Sequence, residues 1–142
     1  MPQPDPTSAP TAAPTPAGWG RRILALVVDW VTCLAVVEGL VAVGVLAGNP
    51  NGLGTLGLFV VESALFTAVA GGSFGKLATR LRVVHANGDP RPIGLLQALL
   101  RSVLIAVVIP PLVYRPDGRG LHDILAGSAT VDLATWRALA GR

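Results

Sequence analysis

Three charged residues, Asp29, Glu62 and Arg101, lie within long apolar stretches of the sequence, where ionised groups are rare and usually functional. Each lies seven or eight residues inside the boundary of its apolar segment. At the helical rise of 1.5 Å per residue, this spacing places all three at a depth of about 10–12 Å, where they can meet. A carboxylate beside an arginine stays ionised, whereas an isolated one takes up a proton. We therefore predict an ion pair plus a carboxyl group that can bind a proton or cation. The alternative is that the charges only fix the register of the helices.

The elements that would position these residues are three apolar segments, at residues 23–47, 53–70 and 93–113. Each is long enough to cross a hydrocarbon core of roughly 30 Å as a helix. The turn residues at 49–52 indicate that the first two segments form an antiparallel helical hairpin. Prolines at 110–111 interrupt the third segment, which is therefore expected to be kinked or re-entrant. The fold class predicted is an all-α membrane protein with interfacial amphipathic helices.

The composition agrees with lipid as the solvent of this chain. Hydrophobic residues make up 51% of the 142 residues and charged residues only 13%, against about a quarter in a typical soluble domain. The net charge is +3, but the basic residues flank apolar segments and form no continuous stripe. This pattern indicates contact with anionic lipid and argues against nucleic acid. A lone Cys33 excludes an internal disulfide, and His85 and His122 lack ligand spacing. We expect no metal, no cofactor and no enzymatic activity.

The basic residues also predict how the chain lies in a membrane. Residues 1–17, rich in Pro, Ala and Thr, are expected to be a disordered tail, residues 18–132 a membrane domain, and residues 133–142 a short C-terminal tail. Arginines before the first segment place the N-terminus in the cytoplasm of a multi-pass protein of the cytoplasmic membrane. A signal peptide is the rival interpretation of the first segment, but this segment carries two acids and is longer than a leader's apolar region.

The stretch 71–92 differs from its neighbours because apolar residues recur at helical spacing among basic ones. It is predicted to be an amphipathic helix at the membrane interface. The basic residues assigned to the interface are Arg21, Lys76, Arg80 and Arg82. A third segment that crosses fully would place the arginine-rich end outside, so we favour the re-entrant arrangement with a cytoplasmic C-terminus.

Several ordered motifs resemble the RDD family of small bacterial membrane proteins, of an actinobacterial type. The family takes its name from one arginine and two aspartates. Arg22 and Asp29 in Arg21-Arg22-Ile23-Leu24-Ala25-Leu26-Val27-Val28-Asp29 match the first two, and Asp123 in Leu121-His122-Asp123-Ile124-Leu125-Ala126-Gly127 matches the third. Leu99-Leu100-Arg101 resembles the family's later arginine. The resemblance covers about residues 17–132 and implies a helical membrane fold.

Two functions remain open from the sequence. The resemblance implies transport of an unidentified ligand, or the sodium–proton exchange linked to some members. In that case we expect the site to be the three charged residues at equal depth, Asp29, Glu62 and Arg101. The alternative is a non-catalytic structural or accessory subunit that docks on a partner membrane protein. In both cases we expect the lipid bilayer to surround the chain, and three segments are too few to enclose a pathway. A homo-oligomer or a partner membrane protein is therefore predicted.

Overall fold

The computed structural model describes residues 15–49, 52–107 and 121–141. This part of the chain is mostly helical, which confirms the predicted class of helical membrane protein. The helices are α1 (Trp19–Ala42), α2 (Leu53–Ala70), α3 (Phe74–Ala78), α4 (Leu95–Ala106), α5 (Leu121–Leu125) and α6 (Leu133–Ala140), and two strands, β1 (Leu81–His85) and β2 (Ser128–Asp132), complete the fold. Among these helices, α1 and α2 are long and apolar enough to span a membrane, whereas α4 is a shorter apolar helix.

Helices α1 and α2 pack side by side, and their outer faces carry exposed Val and Leu side chains that suit a lipid environment. Trp30 contacts Phe59 across this interface, with ring centroids 6.1 Å apart. Asn49 ties the end of the connection to α2, because its side chain donates to Thr55 Oγ1 at 2.9 Å and accepts from the Gly54 backbone N at 2.9 Å. Of the predicted turn at 49–52, residues 50 and 51 lie outside the described chain.

The predicted amphipathic helix over 71–92 is wrong beyond its first turns. Helix α3 covers only five residues, and Arg80, with a φ of 59°, turns the chain out of the helix. Residues 81–85 then form β1, which pairs antiparallel with β2 in the register Leu81↔Asp132. Leu81, Val83 and Val84 are buried against the rest of the fold. A strand is favoured because β-branched valines suit a pleated surface and β2 supplies the backbone partners.

The chain returns after α4 to the end of the molecule where it began. Helix α4 has 12 residues, a length of about 18 Å, and the prolines at 110–111 lie outside the described residues. When the chain resumes, β2 lies beside β1, and Ala17 N donates to Thr130 O at 2.9 Å. The start of α1 and the whole of β2 therefore occupy the same end.

The apolar core runs between the helices and continues beneath the sheet. Cys33, Phe59 and Ile105 join α1, α2 and α4, while Ala64, Val83, Ile93 and Ala98 join α2 and α4 to β1. Residues 133–140 of the predicted C-terminal tail form α6, begun by Asp132, whose side chain accepts from Thr135 N at 2.8 Å. Trp136 of α6 packs on the sheet and donates its indole N–H to Pro90 O at 3.0 Å. These contacts hold the sheet firmly against the helix ends.

Candidate functional site

Two arginines meet a single buried aspartate where α1, α4 and α5 converge. Arg22 Nη1 lies 3.3 Å from Asp123 Oδ2, and Arg101 Nη1 lies 2.7 Å from Asp123 Oδ1. Thr130 of β2 completes the arrangement, because its hydroxyl accepts from Arg101 Nη2 at 2.8 Å and its carbonyl from Arg22 Nη2 at 3.2 Å. One carboxylate thus pairs with two guanidinium groups in a site with almost no solvent contact, where any unpaired charge is costly.

Asp29, near the middle of α1, binds the segment that follows α2. Its carboxylate accepts from Ser73 Oγ at 2.5 Å and from the backbone N–H of Gly75 in a short hydrogen bond. The approach requires glycine at position 75, because a Cβ there would collide with the Ala25 carbonyl and lie 2.9 Å from Asp29 Cγ. Asp29 therefore fixes α3 directly onto α1.

Lys76 projects from α3 into the same buried region. Only 8% of the residue is exposed, and Nζ donates to Ser73 Oγ at 3.2 Å, so Ser73 links Lys76 to Asp29. Burial, and to a lesser extent the Arg101 charge, lower the pKa of Lys76 to about 8, whereas Asp29, Asp123 and Glu62 oppose the shift. Lys76 therefore lies within the fields of all three acids.

Glu62 of α2 is bound through only one of its two carboxylate oxygens. Oε1 accepts from Phe74 N at 2.7 Å, whereas Oε2 is buried and has no hydrogen-bond partner among the described residues. The Nε atoms of Arg22 and Arg101 are buried and without a partner in the same part of the chain. An acceptor oxygen in this state is the kind of atom that a proton or a cation would bind.

Asp29, Glu62 and Arg101, which were predicted to contact one another, belong to two adjoining groups of contacts. Within the described chain, Arg101 makes no ion pair with Asp29 or Glu62; its carboxylate partner is Asp123. Asp29 and Glu62 instead hold α3 and surround Lys76. We name the whole set the charged cluster, and its members are Arg22, Asp29, Glu62, Lys76, Arg101 and Asp123.

Sequence reasoning misplaced Lys76 and missed the two hydroxyl groups. Lys76 was assigned to the membrane interface, but it is buried, because α3 docks on α1 and carries the side chain inward. Neither Ser73 nor Thr130 was predicted as a site residue, since they become ligands of charged groups only through contacts between distant segments. For Asp123, the family resemblance was the one available signal, and it named the residue without naming its partners.

The remaining basic residues assigned to the interface lie on the surface of the sheet end. Arg21 and Arg80 are exposed and line a small pocket, and Arg82 lies over the Trp136 ring, with Cζ 5.9 Å from the ring centroid. No three His, Cys, Asp or Glu side chains are grouped to hold a metal ion in residues 15–49, 52–107 and 121–141.

The apolar helices are held to a small sheet by a buried set of ionised groups of opposite charge. These features define a helical membrane protein with an internal charged cluster. The chain belongs to the RDD family, since the family model of that description matches residues 16–127. Neither a curated protein nor a solved structure matches the chain at a significant level. The three residues matched to the family motif from the sequence, Arg22, Asp29 and Asp123, all lie in the charged cluster.

Proposed function

We propose that this protein takes part in transport or ion exchange across a membrane, with the charged cluster as its binding site for a proton or a small cation. One observation carries the proposal: Glu62 Oε2 is buried without a hydrogen-bond donor among the described residues, within the field of the buried Lys76. Buried ionisable groups in membrane helices are costly to maintain, and they usually mark ion or proton pathways.

A proton is the simplest ligand for such a site. The Asp29 carboxylate already accepts hydrogen bonds from Ser73 and Gly75, and the Asp123 carboxylate pairs with two guanidinium groups. Among the described residues, Glu62 is the acid of the cluster that has a carboxylate oxygen without a hydrogen-bond partner. With its pKa near 8, Lys76 can release a proton in the same region. Gain of a proton by Glu62 and loss of one by Lys76 would leave the net charge of the cluster unchanged. Two exchanging groups that compensate each other in this way keep the electrostatic cost low.

The pathway requires more than this chain. The described apolar helices are too few to surround a polar route across the bilayer, so we propose that a second copy or a partner membrane protein supplies the other walls. The Val and Leu side chains exposed on α1, α2 and α4 support our proposal that lipid surrounds the remaining faces.

The proposed location is the cytoplasmic membrane, with the protein multi-pass and its N-terminus in the cytoplasm. The paired arginines before α1 support this orientation by the positive-inside rule, and β2 lies at the same end as Ala17. The test is thiol labelling of Thr15→Cys, Val45→Cys and Ala138→Cys in a Cys33→Ser background, with a membrane-impermeant reagent on intact cells. We expect labelling of Val45→Cys alone. Labelling of Ala138→Cys as well would place the C-terminus outside and contradict the proposal.

Flux through proteoliposomes tests the transport proposal. Purified full-length protein is reconstituted, and proton and Na⁺ movement is measured for the wild type and for the Glu62→Gln and Glu38→Gln variants. Glu38 is the matched control, because it is an exposed acid on α1 outside the charged cluster. We expect flux in the wild type and in Glu38→Gln and its loss in Glu62→Gln. Equal flux in the Glu62→Gln variant would exclude Glu62 as the site.

A second candidate is a non-catalytic accessory subunit, and a separate observation favours it. An apolar groove of about 350 Å³ opens between α1, α2 and α4, lined by Leu26, Val27, Trp30, Val31, Leu56, Phe59, Ile105 and Ala106. In this role the charged cluster would only lock the helices to the sheet. Wild-type proteoliposomes that contain inserted, folded protein and show no flux of any cation would favour this role over transport.

A further inference from the structure

A second group of basic residues lies outside the charged cluster, at the end of the molecule where α1 begins. It lines a pocket of about 230 Å³ between the start of α1 and the junction of β2 with α6. We propose that this pocket binds the phosphate of an anionic phospholipid headgroup. The lining residues are Arg21, Arg80, Asp132, Leu133, Ala134 and Arg137.

The charges around the pocket favour an anion. Three arginines face one carboxylate, and no ion pair engages Arg21, Arg80 or Arg137 among the residues that the structure describes. The carboxylate, Asp132, already accepts a hydrogen bond from Thr135 N at 2.8 Å as the N-cap of α6. Guanidinium groups match the geometry of phosphate oxygens through two parallel hydrogen bonds. The pocket therefore carries an excess of positive charge that a phosphate would neutralise.

The backbone at Arg80 indicates that the arginine side chain matters at this place. Its φ of 59° is a left-handed conformation that L-residues avoid and that usually selects glycine. The conformation is held from both sides, since Arg80 N donates to Leu77 O at 3.2 Å and Leu133 N donates to Arg80 O at 2.8 Å. Glycine would suit this backbone conformation better than arginine. A role for the Arg80 charge in the pocket accounts for the arginine.

The location selects a lipid over a free anion. Arg21 lies in the first turn of α1, and Leu24, Val28 and Val31 follow 3, 7 and 10 residues later on the same helix face. Leu24 is 54% exposed and Val31 57% exposed. A lipid with its phosphate in the pocket can therefore lay an acyl chain along this stripe. Basic pockets beside spanning helices are the usual binding sites for anionic headgroups.

The experiment measures which lipids the full-length protein retains. Protein in mixed micelles with equal phosphatidylglycerol and phosphatidylcholine is analysed by native mass spectrometry, for the wild type and for Arg21→Gln, Arg80→Gln, Arg137→Gln and Arg91→Gln. Arg91 is the matched control because it is exposed, paired with Asp89 and not among the residues that line the pocket. We expect preferential retention of phosphatidylglycerol, reduced about fivefold by each pocket variant and unchanged in the control. This factor corresponds to about 1 kcal/mol for each basic residue near an anionic surface.

Two results would overturn the proposal. Equal loss in the Arg91→Gln variant would show that general surface charge attracts the lipid. Displacement of phosphatidylglycerol by millimolar inorganic phosphate would show that the pocket binds a soluble anion. Because Arg21, Arg80 and Arg137 are exposed, their substitution by Gln should not unfold the protein. Circular dichroism of each variant checks that a loss of bound lipid does not come from unfolding.

Discussion

Arg22 Nη1 lies 3.3 Å from Asp123 Oδ2, although 101 residues separate the two in the chain. The contact joins the first turns of α1 to α5, and Arg101 of α4 binds the other oxygen of the same carboxylate. Two of the three residues matched to the family motif from the sequence are thereby in direct contact, and the third, Asp29, holds the neighbouring α3. The charged cluster is therefore first of all a junction between helices and sheet.

Removal of the central carboxylate should destabilise this junction strongly. Asp123→Ala leaves the guanidinium groups of Arg22 and Arg101 buried close together without their counter-charge, which typically costs about 3–5 kcal/mol. Thermal unfolding in detergent, followed by circular dichroism, should show a large fall in midpoint. Asp89→Asn is the control, because Asp89 pairs with the exposed Arg91, and it should leave the midpoint unchanged. Similar midpoints for the two variants would contradict the assigned role of Asp123.

Gly75→Ala should separate α3 from α1. The added methyl group collides with the Ala25 carbonyl and with the Asp29 carboxylate, and overpacking of this kind costs about 1–3 kcal/mol. Gly57→Ala is a matched control, because open space surrounds that position in α2, and its stability should be unchanged or slightly higher. Limited proteolysis between α2 and β1 would measure the separation. Resistance of the Gly75→Ala variant equal to that of the wild type would disprove the close approach.

Arg80→Gly should stabilise the protein while weakening its preference for anionic lipid. Glycine adopts a φ of 59° without the steric cost of about 1 kcal/mol that an L-residue bears there. Arg80→Gln removes the same charge and keeps the cost, so it should lose the lipid preference without a gain in stability. Thermal midpoints and lipid retention, measured on both variants, separate the two effects. A lower midpoint for Arg80→Gly would show that the side chain holds the fold.

The titration of Lys76 should have its midpoint near pH 8, because burial lowers the pKa of this group from 10.5. Between about pH 8 and 10.5 the unfolded chain keeps a proton that the folded chain has lost, so stability should rise with pH across this window. Lys76 is the only lysine in the sequence, so a ¹³C-lysine NMR signal reports on it without assignment. A midpoint near 10.5 would show that Lys76 is in contact with water.

The same signal tests the coupling between Lys76 and Glu62. Glu62 is one of the acids that raise the pKa of Lys76, so Glu62→Gln should move the midpoint below that of the wild type. Glu38→Gln, which changes an exposed acid outside the cluster, should not move it. Because this readout does not depend on flux, it tests the site even in a preparation that transports nothing. An unchanged midpoint in Glu62→Gln would remove Glu62 from the field of Lys76.

The prediction of a re-entrant third segment came from local signals and stays a prediction, because the prolines at 110–111 lie outside the described residues. The pairing of β2 with β1 could not be anticipated, because a strand of five residues carries a weak local signal that a partner strand must support. For the same reason the helical spacing in 71–92 was misleading beyond Arg80.

By itself, the sequence determined the helical membrane character of the protein, its apolar helices α1 and α2, and its membership of the RDD family. Hydropathy summed over eighteen or more residues and ordered motifs are properties of neighbouring residues, so no tertiary contact is needed to detect them. Only the tertiary structure decided that Arg101 pairs with Asp123, that Lys76 is buried, and that three arginines share one pocket. Depth along a helix limits which charges can meet, but the choice among them depends on how distant segments pack, because a buried charge is stable only beside the partner that the packing brings within reach.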